Sequence, residues 1–159
     1  LRTWRSLTAV AFSTPTFALH EGLAYTVAEE KLSAYDTATG EVMWSTPVGR
    51  GPQRPYVVAD GDGALVIAAV SVTTGGTGTS KETTSTEVVA LDARTGTEKW
   101  RTAVGAEGTL IGADATAAVV VGTRPEADTG TDTDTGTGTG TGTETSSVHA
   151  IDPATGKEL

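Results

Sequence analysis

Short apolar runs broken by turn residues recur along the whole chain. Leu23-Ala24-Tyr25-Thr26-Val27, Ala64-Leu65-Val66-Ile67-Ala68 and Ala117-Ala118-Val119-Val120-Val121 each have strand length, and two of them are rich in β-branched residues. His20-Glu21-Gly22 and Asp60-Gly61-Asp62-Gly63 bound them as turn signals. No window carries a sustained helical stripe. A second set of positions alternates: Leu32, Ala34 and Asp36 share one face of a strand, as do Val88, Ala90 and Asp92, and Val148, Ala150 and Asp152. The pattern predicts an all-β chain of repeated four-stranded antiparallel units. The first strands are Phe17–Leu19, Tyr56–Ala59 and Leu110–Gly112, the apolar runs are second, the alternating segments third, and a Trp-bearing strand closes each unit.

The third and fourth strands are joined by one phrase written three times. Ala34-Tyr35-Asp36-Thr37-Ala38-Thr39-Gly40 is followed by Trp44, and Ala90-Leu91-Asp92-Ala93-Arg94-Thr95-Gly96 by Trp100. Ala150-Ile151-Asp152-Pro153-Ala154-Thr155-Gly156 runs to the last residue, Leu159, and Trp4-Arg5-Ser6 matches Trp100-Arg101-Thr102 as the tail of a further copy. The phrase has a mechanism. An Asp carboxylate accepts backbone N–H groups two residues on and fixes a bend, and the Gly takes positive φ and forms a bulge that matches strand twist. The common phase of Asp36, Asp92 and Asp152 therefore assigns them to turn structure rather than to a metal or acid–base site. The small Ala lets a neighbouring sheet approach, and the large flat Trp, with one N–H donor, suits a dock between sheets.

The pattern Ala-x-Asp-x-x-Thr-Gly-x-x-x-Trp resembles the tryptophan-docking repeat of the pyrroloquinoline quinone (PQQ) dehydrogenase-like β-propellers. Residues 34–44 and 90–100 match it in full, and 150–159 match as far as they run. The resemblance implies radially arranged blades with each Trp stacked between neighbours. The family spans quinoprotein alcohol dehydrogenases, an outer-membrane-protein assembly lipoprotein and sensor regions of bacterial Ser/Thr kinases, so the repeat specifies fold rather than activity. With the long Thr/Gly stretches at roughly 73–86 and 123–147 set aside, the period is near 40–45 residues, and the chain amounts to about three blades, approximately 1–40, 41–96 and 97–159. Propellers close with about four to eight blades. The expectation is therefore a piece of a larger propeller of seven or eight blades, whose remaining blades are its first partners.

Two Thr/Gly-rich inserts, 73–86 and 123–147, lengthen the second and third repeats between their second and third strands. They lack large apolar residues and are expected to be flexible loops. In an up-and-down blade this connection emerges on the same face as the loop Pro47–Pro55, so both inserts and that loop are expected to share one face. Arg50 and Arg54 on that loop are the best candidates for ligand contact, since guanidinium groups suit carboxylate or phosphate.

The net charge of −9 argues against a nucleic-acid surface, which would want a basic stripe, so no nucleic-acid partner is expected. No cysteine is present, which excludes a disulfide or thiolate metal site within this piece, and no run of about eighteen apolar residues marks a transmembrane helix. Asp132-Thr133-Asp134 begins like a calcium loop, but Gly136 and Thr143 occupy positions where an EF-hand needs oxygen ligands. His20 and His149 have no Ser or Cys nucleophile motif and no metal-spaced partner in the sequence. No catalytic residue, cofactor or metal site is therefore expected. The expectation is a non-catalytic module that binds a protein or small ligand, as an extracytoplasmic or cell-envelope scaffold of a bacterium or as the sensor region of a receptor-like Ser/Thr kinase. The alternative is a fragment of a PQQ-dependent dehydrogenase. The resemblance would then imply PQQ, calcium and an Asp general base, but this piece lacks the vicinal cysteine pair such enzymes often carry.

Overall fold

The computed structural model describes residues 17–51, 53–61, 63–75, 83–124 and 145–159. They form three antiparallel sheets. The first contains β1 (Phe17–His20), β2 (Leu23–Ala28), β3 (Lys31–Asp36) and β4 (Val42–Pro47), in that spatial order. The second contains β5 (Tyr56–Asp60), β6 (Gly63–Thr74), β7 (Thr83–Asp92) and β8 (Glu98–Gly105). The third contains β9 (Glu107–Ala113), β10 (Ala118–Arg124) and β11 (Thr145–Ile151). A bridge between Ile151 and Glu158 starts a fourth strand on its edge. This is a partial β-propeller, with each sheet a blade. The first strands β1, β5 and β9 approach one another, whereas β4 and β8 lie at the far edges of their sheets.

Local sequence dictates the turns. β1 and β2 join through Glu21 and Gly22 at φ 46° and 80°, and β2 and β3 through Glu29 and Glu30 at φ 50° and 66°. Two-residue loops with positive φ match the right-handed twist of the strands they connect. The three Asp-x-x-Thr-Gly turns are built alike. The amides of Gly40, Gly96 and Gly156 each donate 2.8 Å to the carbonyl of Asp36, Asp92 and Asp152. Asp36 Oδ1 accepts from the amides of Ala38 and Thr39, and Asp92 Oδ1 from those of Arg94 and Thr95. A bulge follows at the same place in two blades, between Ala34 and Tyr35 and between Ala90 and Leu91.

The core lies between blades. Tyr25, Val27, Leu32 and Ala34 of the first blade pack on Val66, Ala68, Val89 and Leu91 of the second. The opposite face of the second blade, with Leu65, Ile67, Val88 and Ala90, packs on Leu110, Ala118, Val120 and Ile151 of the third. At about 25 cal/mol per Å² of apolar surface, these two joints supply the main cohesion. Ala34 and Ala90 are fully buried, and each pairs across the ladder with the Trp of its own blade.

Two boundaries differ from those read in the sequence. The sheets end at Pro47 and Gly105, not at 40 and 96, because the Trp-bearing strand is the hairpin partner of the third strand and stays in its sheet. The ladder also runs into both stretches expected to be loops. Thr73 and Thr74 pair with Thr84 and Thr83, and Thr123 and Arg124 pair with Ser146 and Thr145. β-Branched threonines favour the pleated conformation and interact across strands, so these threonines are compatible with strand pairing. Residues 76–82 and 125–144 of the inserts lie outside the described residues, as do Trp4 and the aspartates Asp132 and Asp134.

Candidate binding face and the joints between blades

Each described Trp reaches from its own blade to the Asp-x-x-Thr-Gly turn of the next. Trp44 Nε1 donates to the Ala93 carbonyl at 3.0 Å, and Trp100 Nε1 to the Pro153 carbonyl at 2.7 Å. The indoles lie on the turn glycines: a β-carbon on Gly96 would come within 2.5 Å of Trp44 Cδ2, and one on Gly156 within 2.5 Å of Trp100 Cδ2. Thr46 and Thr102, two residues past each Trp, donate their hydroxyls to the Gly96 and Gly156 carbonyls. The glycine thus serves two ends, the positive φ of the turn and the seat of the neighbouring ring. Gly40 has the same conformation, at φ 76°. Trp44 is buried, while Trp100 is part-buried.

The turn aspartates are held ionised. The Thr39 and then the Ala38 amide keep the Asp36 carboxyl below its usual range. At Asp152 the Thr155 hydroxyl leads, followed by the Ala154 amide. At Asp92 burial pushes upward, but the Thr95 amide and hydroxyl, the Arg94 amide and the Lys99 charge outweigh it. All three carboxylates are occupied by their own turns.

The β4–β5 segment crosses the end of the blades where the second and third strands connect. Val48 N donates to Glu30 O, Arg50 and Ser71 exchange backbone bonds, and Gln53 N donates to Ala69 O. The Gln53 side chain spans to the third blade, donating to Gly108 O and accepting from Leu110 N. Arg50 and Arg54 both lie here and are exposed. The Arg50 guanidinium pairs with Glu30 at 3.2 Å, and that of Arg54 lies 5.6 Å from the Tyr56 ring centroid. Beside this segment, at the seam of blades two and three, a groove of about 370 Å³ is lined by Ser71, Thr84, Thr86, Glu107, Thr109 and Ser146, among others. Its wall is rich in hydroxyls, with one carboxylate.

Some polar groups were not singled out from the sequence. Arg101 is three-quarters buried at the first joint. It bonds both oxygens of Glu98, Glu87 Oε2 and the Val48 carbonyl. His149, read as having no Ser or Cys nucleophile motif and no metal-spaced partner, has polar neighbours on both ring nitrogens: Ser147 Oγ lies 2.9 Å from Nε2, and Glu158 Oε1 lies 2.7 Å from Nδ1. The two-residue spacing of Ser147 and His149 on one strand face was the available signal. A carboxylate only accepts, so Nδ1 carries a proton; in the neutral ring Nε2 is an acceptor, and the single Ser147 hydroxyl hydrogen lies between it and the Gly122 carbonyl, 3.2 Å from Oγ. Neither the groove nor the pocket at the first joint is lined by these residues. The row ties the segment after the last turn to β11. His20 stands 4.0 Å from Glu21, beyond hydrogen-bond reach.

The family model described as outer membrane protein assembly factor BamB, a model of PQQ-like repeats, matches residues 2–159. The chain belongs to the PQQ-like repeat family. No curated protein matches it. Members that are dehydrogenases would need a quinone and a calcium seat. Among the described residues no group of three His, Cys, Asp or Glu side chains is placed to hold a metal ion, and Oδ1 of each turn aspartate accepts from a backbone amide of its own turn. No helix among the described residues is long and apolar enough to cross a membrane.

Proposed function

We propose that this PQQ-like propeller segment is a non-catalytic scaffold of the bacterial cell envelope that binds a protein partner across the face carrying the β4–β5 segment. The observation that carries the reading is the convergence there of a hydroxyl-lined groove with two exposed arginines, Arg50 and Arg54. Loops on a rigid scaffold are where propellers vary without disturbing the joints. The family's description as an assembly factor for outer membrane proteins supports a protein partner at the envelope. Ser and Thr hydroxyls both donate and accept, so the groove suits the main chain of an extended polypeptide. Arg50 and Arg54 add charge complementarity to acidic side chains on it.

A photo-reactive amino acid tests this when placed at Thr109 in the groove and, separately, at Thr37 in a turn at the opposite end. In the native host the Thr109 position should give a discrete envelope-protein adduct that weakens when Arg50 and Arg54 are changed to Glu. Adducts of equal yield from both positions, or none from Thr109, would remove the groove as the binding face.

A further inference from the structure

A second concavity sits at the other end of the molecule, between blades one and two. It has a volume of about 280 Å³ and opens between the β1–β2 turn and the β7–β8 turn, just below the range of roughly 300–1,000 Å³ typical of ligand pockets, as suits a small ligand. Leu23, Tyr25 and Ala64 give it an apolar wall, and His20, Glu21 and Arg94 give it a charged rim.

The polar groups at its floor are already consumed. The Ala93 carbonyl accepts from both Tyr25 Oη, at 3.2 Å, and Trp44 Nε1, at 3.0 Å, which fills its two lone pairs. The Ala93 amide donates to Ala64 O. Burial above all, then the charges of Glu21 and Asp92, raises the Tyr25 phenol further above its usual range, so the wall it forms stays neutral. Hydrogen-bonding capacity remains at the rim. Arg94 Nη2 and Glu21 Oε2 are 3.7 Å apart, close enough to attract but too far to hydrogen-bond. Their side chains are 76% and 65% exposed, and an exposed pair of that kind contributes little to a fold.

The repeat itself does not ask for these charges. The position of Arg94 is held by Ala38 and Ala154 in the other two copies of the turn. Arg94 contributes to its turn through its backbone amide, which donates to Asp92 Oδ1 at 3.0 Å. The guanidinium is thus a local addition at one joint.

We infer that this pocket binds a small zwitterion, an apolar α-amino acid. Its carboxylate would sit on the Arg94 guanidinium, its ammonium on the Glu21 carboxylate, and its side chain on Leu23, Ala64 and the Tyr25 ring. A guanidinium presents two parallel donors to a carboxylate. A cation and an anion standing side by side match a ligand whose opposite charges are borne on one carbon. A simple anion meets repulsion from Glu21, and a simple cation meets it from Arg94. The site is remote from the groove, so it stands or falls apart from the protein-binding reading.

Calorimetric titration of the intact chain with L-leucine, L-valine, L-methionine and L-phenylalanine tests it. At least one should bind saturably, and the matching amine without a carboxylate and acid without an ammonium should each bind at least about tenfold more weakly. Arg94→Ala and Glu21→Gln should produce the same loss. Arg94→Ala imports the residue of the other repeats and should leave the melting temperature in place. The inference is overturned if none of the four amino acids binds, if a half-ligand binds as well as its parent, or if Arg94→Ala binds like the wild type.

Discussion

Substituting Gly96 by Ala isolates the contact that joins one blade to the next. Two penalties are expected. Gly96 sits at φ 69°, where a β-carbon costs about 1–2 kcal/mol by local sterics. That carbon would also lie 2.5 Å from two atoms of the Trp44 ring and 2.9 Å from Thr46 Oγ1. The ring cannot retreat without giving up its bond to Ala93 O, and forcing an extra carbon into such packing costs about 1–3 kcal/mol. Gly96→Ala should therefore lose about 2–5 kcal/mol in all. Gly61 supplies the control: its φ is 56° and its β-carbon would meet nothing within 4 Å, so Gly61→Ala should lose only the conformational share of about 1–2 kcal/mol. Urea unfolding followed by tryptophan fluorescence gives both values from midpoints at constant slope. The emission of Trp44 in folded Gly96→Ala should also shift to the red as the ring lifts from its seat. If the two variants agree within about 0.5 kcal/mol, a difference too small to include overpacking, the glycine is there for its backbone alone and the reasoning fails.

The same joint predicts coupling between Tyr25 and Trp44: Tyr25→Phe should cost about 0.5–1.5 kcal/mol, Trp44→Phe more because the smaller ring also leaves a void, and the double change more than their sum, because only then is the buried Ala93 carbonyl left without a donor; strict additivity in a double-mutant cycle would show that the two bonds are independent. Asp92→Ala should cost roughly 1–2 kcal/mol in urea midpoints through lost turn hydrogen bonds, and an unchanged midpoint would overturn the assignment of this aspartate to turn structure. Since the carboxyls of Asp36, Asp92, Asp114 and Asp152 all lie below their ordinary value of 3.8 when folded, their contribution is complete above that pH and disappears as pH falls through the folded values; acid titration of the urea midpoint should show a plateau above about pH 5 and a fall below 3.8 that Asp92→Asn makes shallower. Arg101→Lys should destabilise by about 1–2 kcal/mol, since an ammonium cannot serve Glu87, Glu98 and Val48 O with one planar fork, and a neutral outcome in thermal melts would mean that charge alone matters there.

How far the chain could be read depends on how local each feature is. The Asp-x-x-Thr-Gly turn is contained in five consecutive residues, so its geometry and the strands on either side follow from the sequence. The seat of Trp44 on Gly96 brings together parts of two repeats, and nothing near Gly96 in the chain announces a ring above it. Arg101 was passed over for the same reason: its partners come from β7, β8 and the segment after β4. His149 is an intermediate case, with Ser147 visible at a strand spacing but Glu158 arriving only after the chain has turned back. The insert boundaries were set by composition, which registers threonine as polar and low in complexity. The ladder registers its β-branch, and Thr73–Thr74 stay paired.

Two arginines show how a repeat separates structure from recognition. Arg101 and Arg94 stand near the same joint and carry the same fork of donors. In Arg101 that fork is spent on two carboxylates and a carbonyl, at 28% exposure, so its position is fixed by the joint. Arg94 belongs to a turn whose bonds are made by main-chain amides and one aspartate, and such a turn accepts any side chain that tolerates its φ and ψ. Alanine in the two sister turns shows that tolerance within this one chain. A position that the fold leaves open, filled by a charge beside an apolar hollow, is where binding specificity is added at little risk to folding. The prediction that Arg94→Ala removes a ligand without moving the melting temperature, while Arg101→Lys lowers stability, follows from that difference between spent and unspent donors.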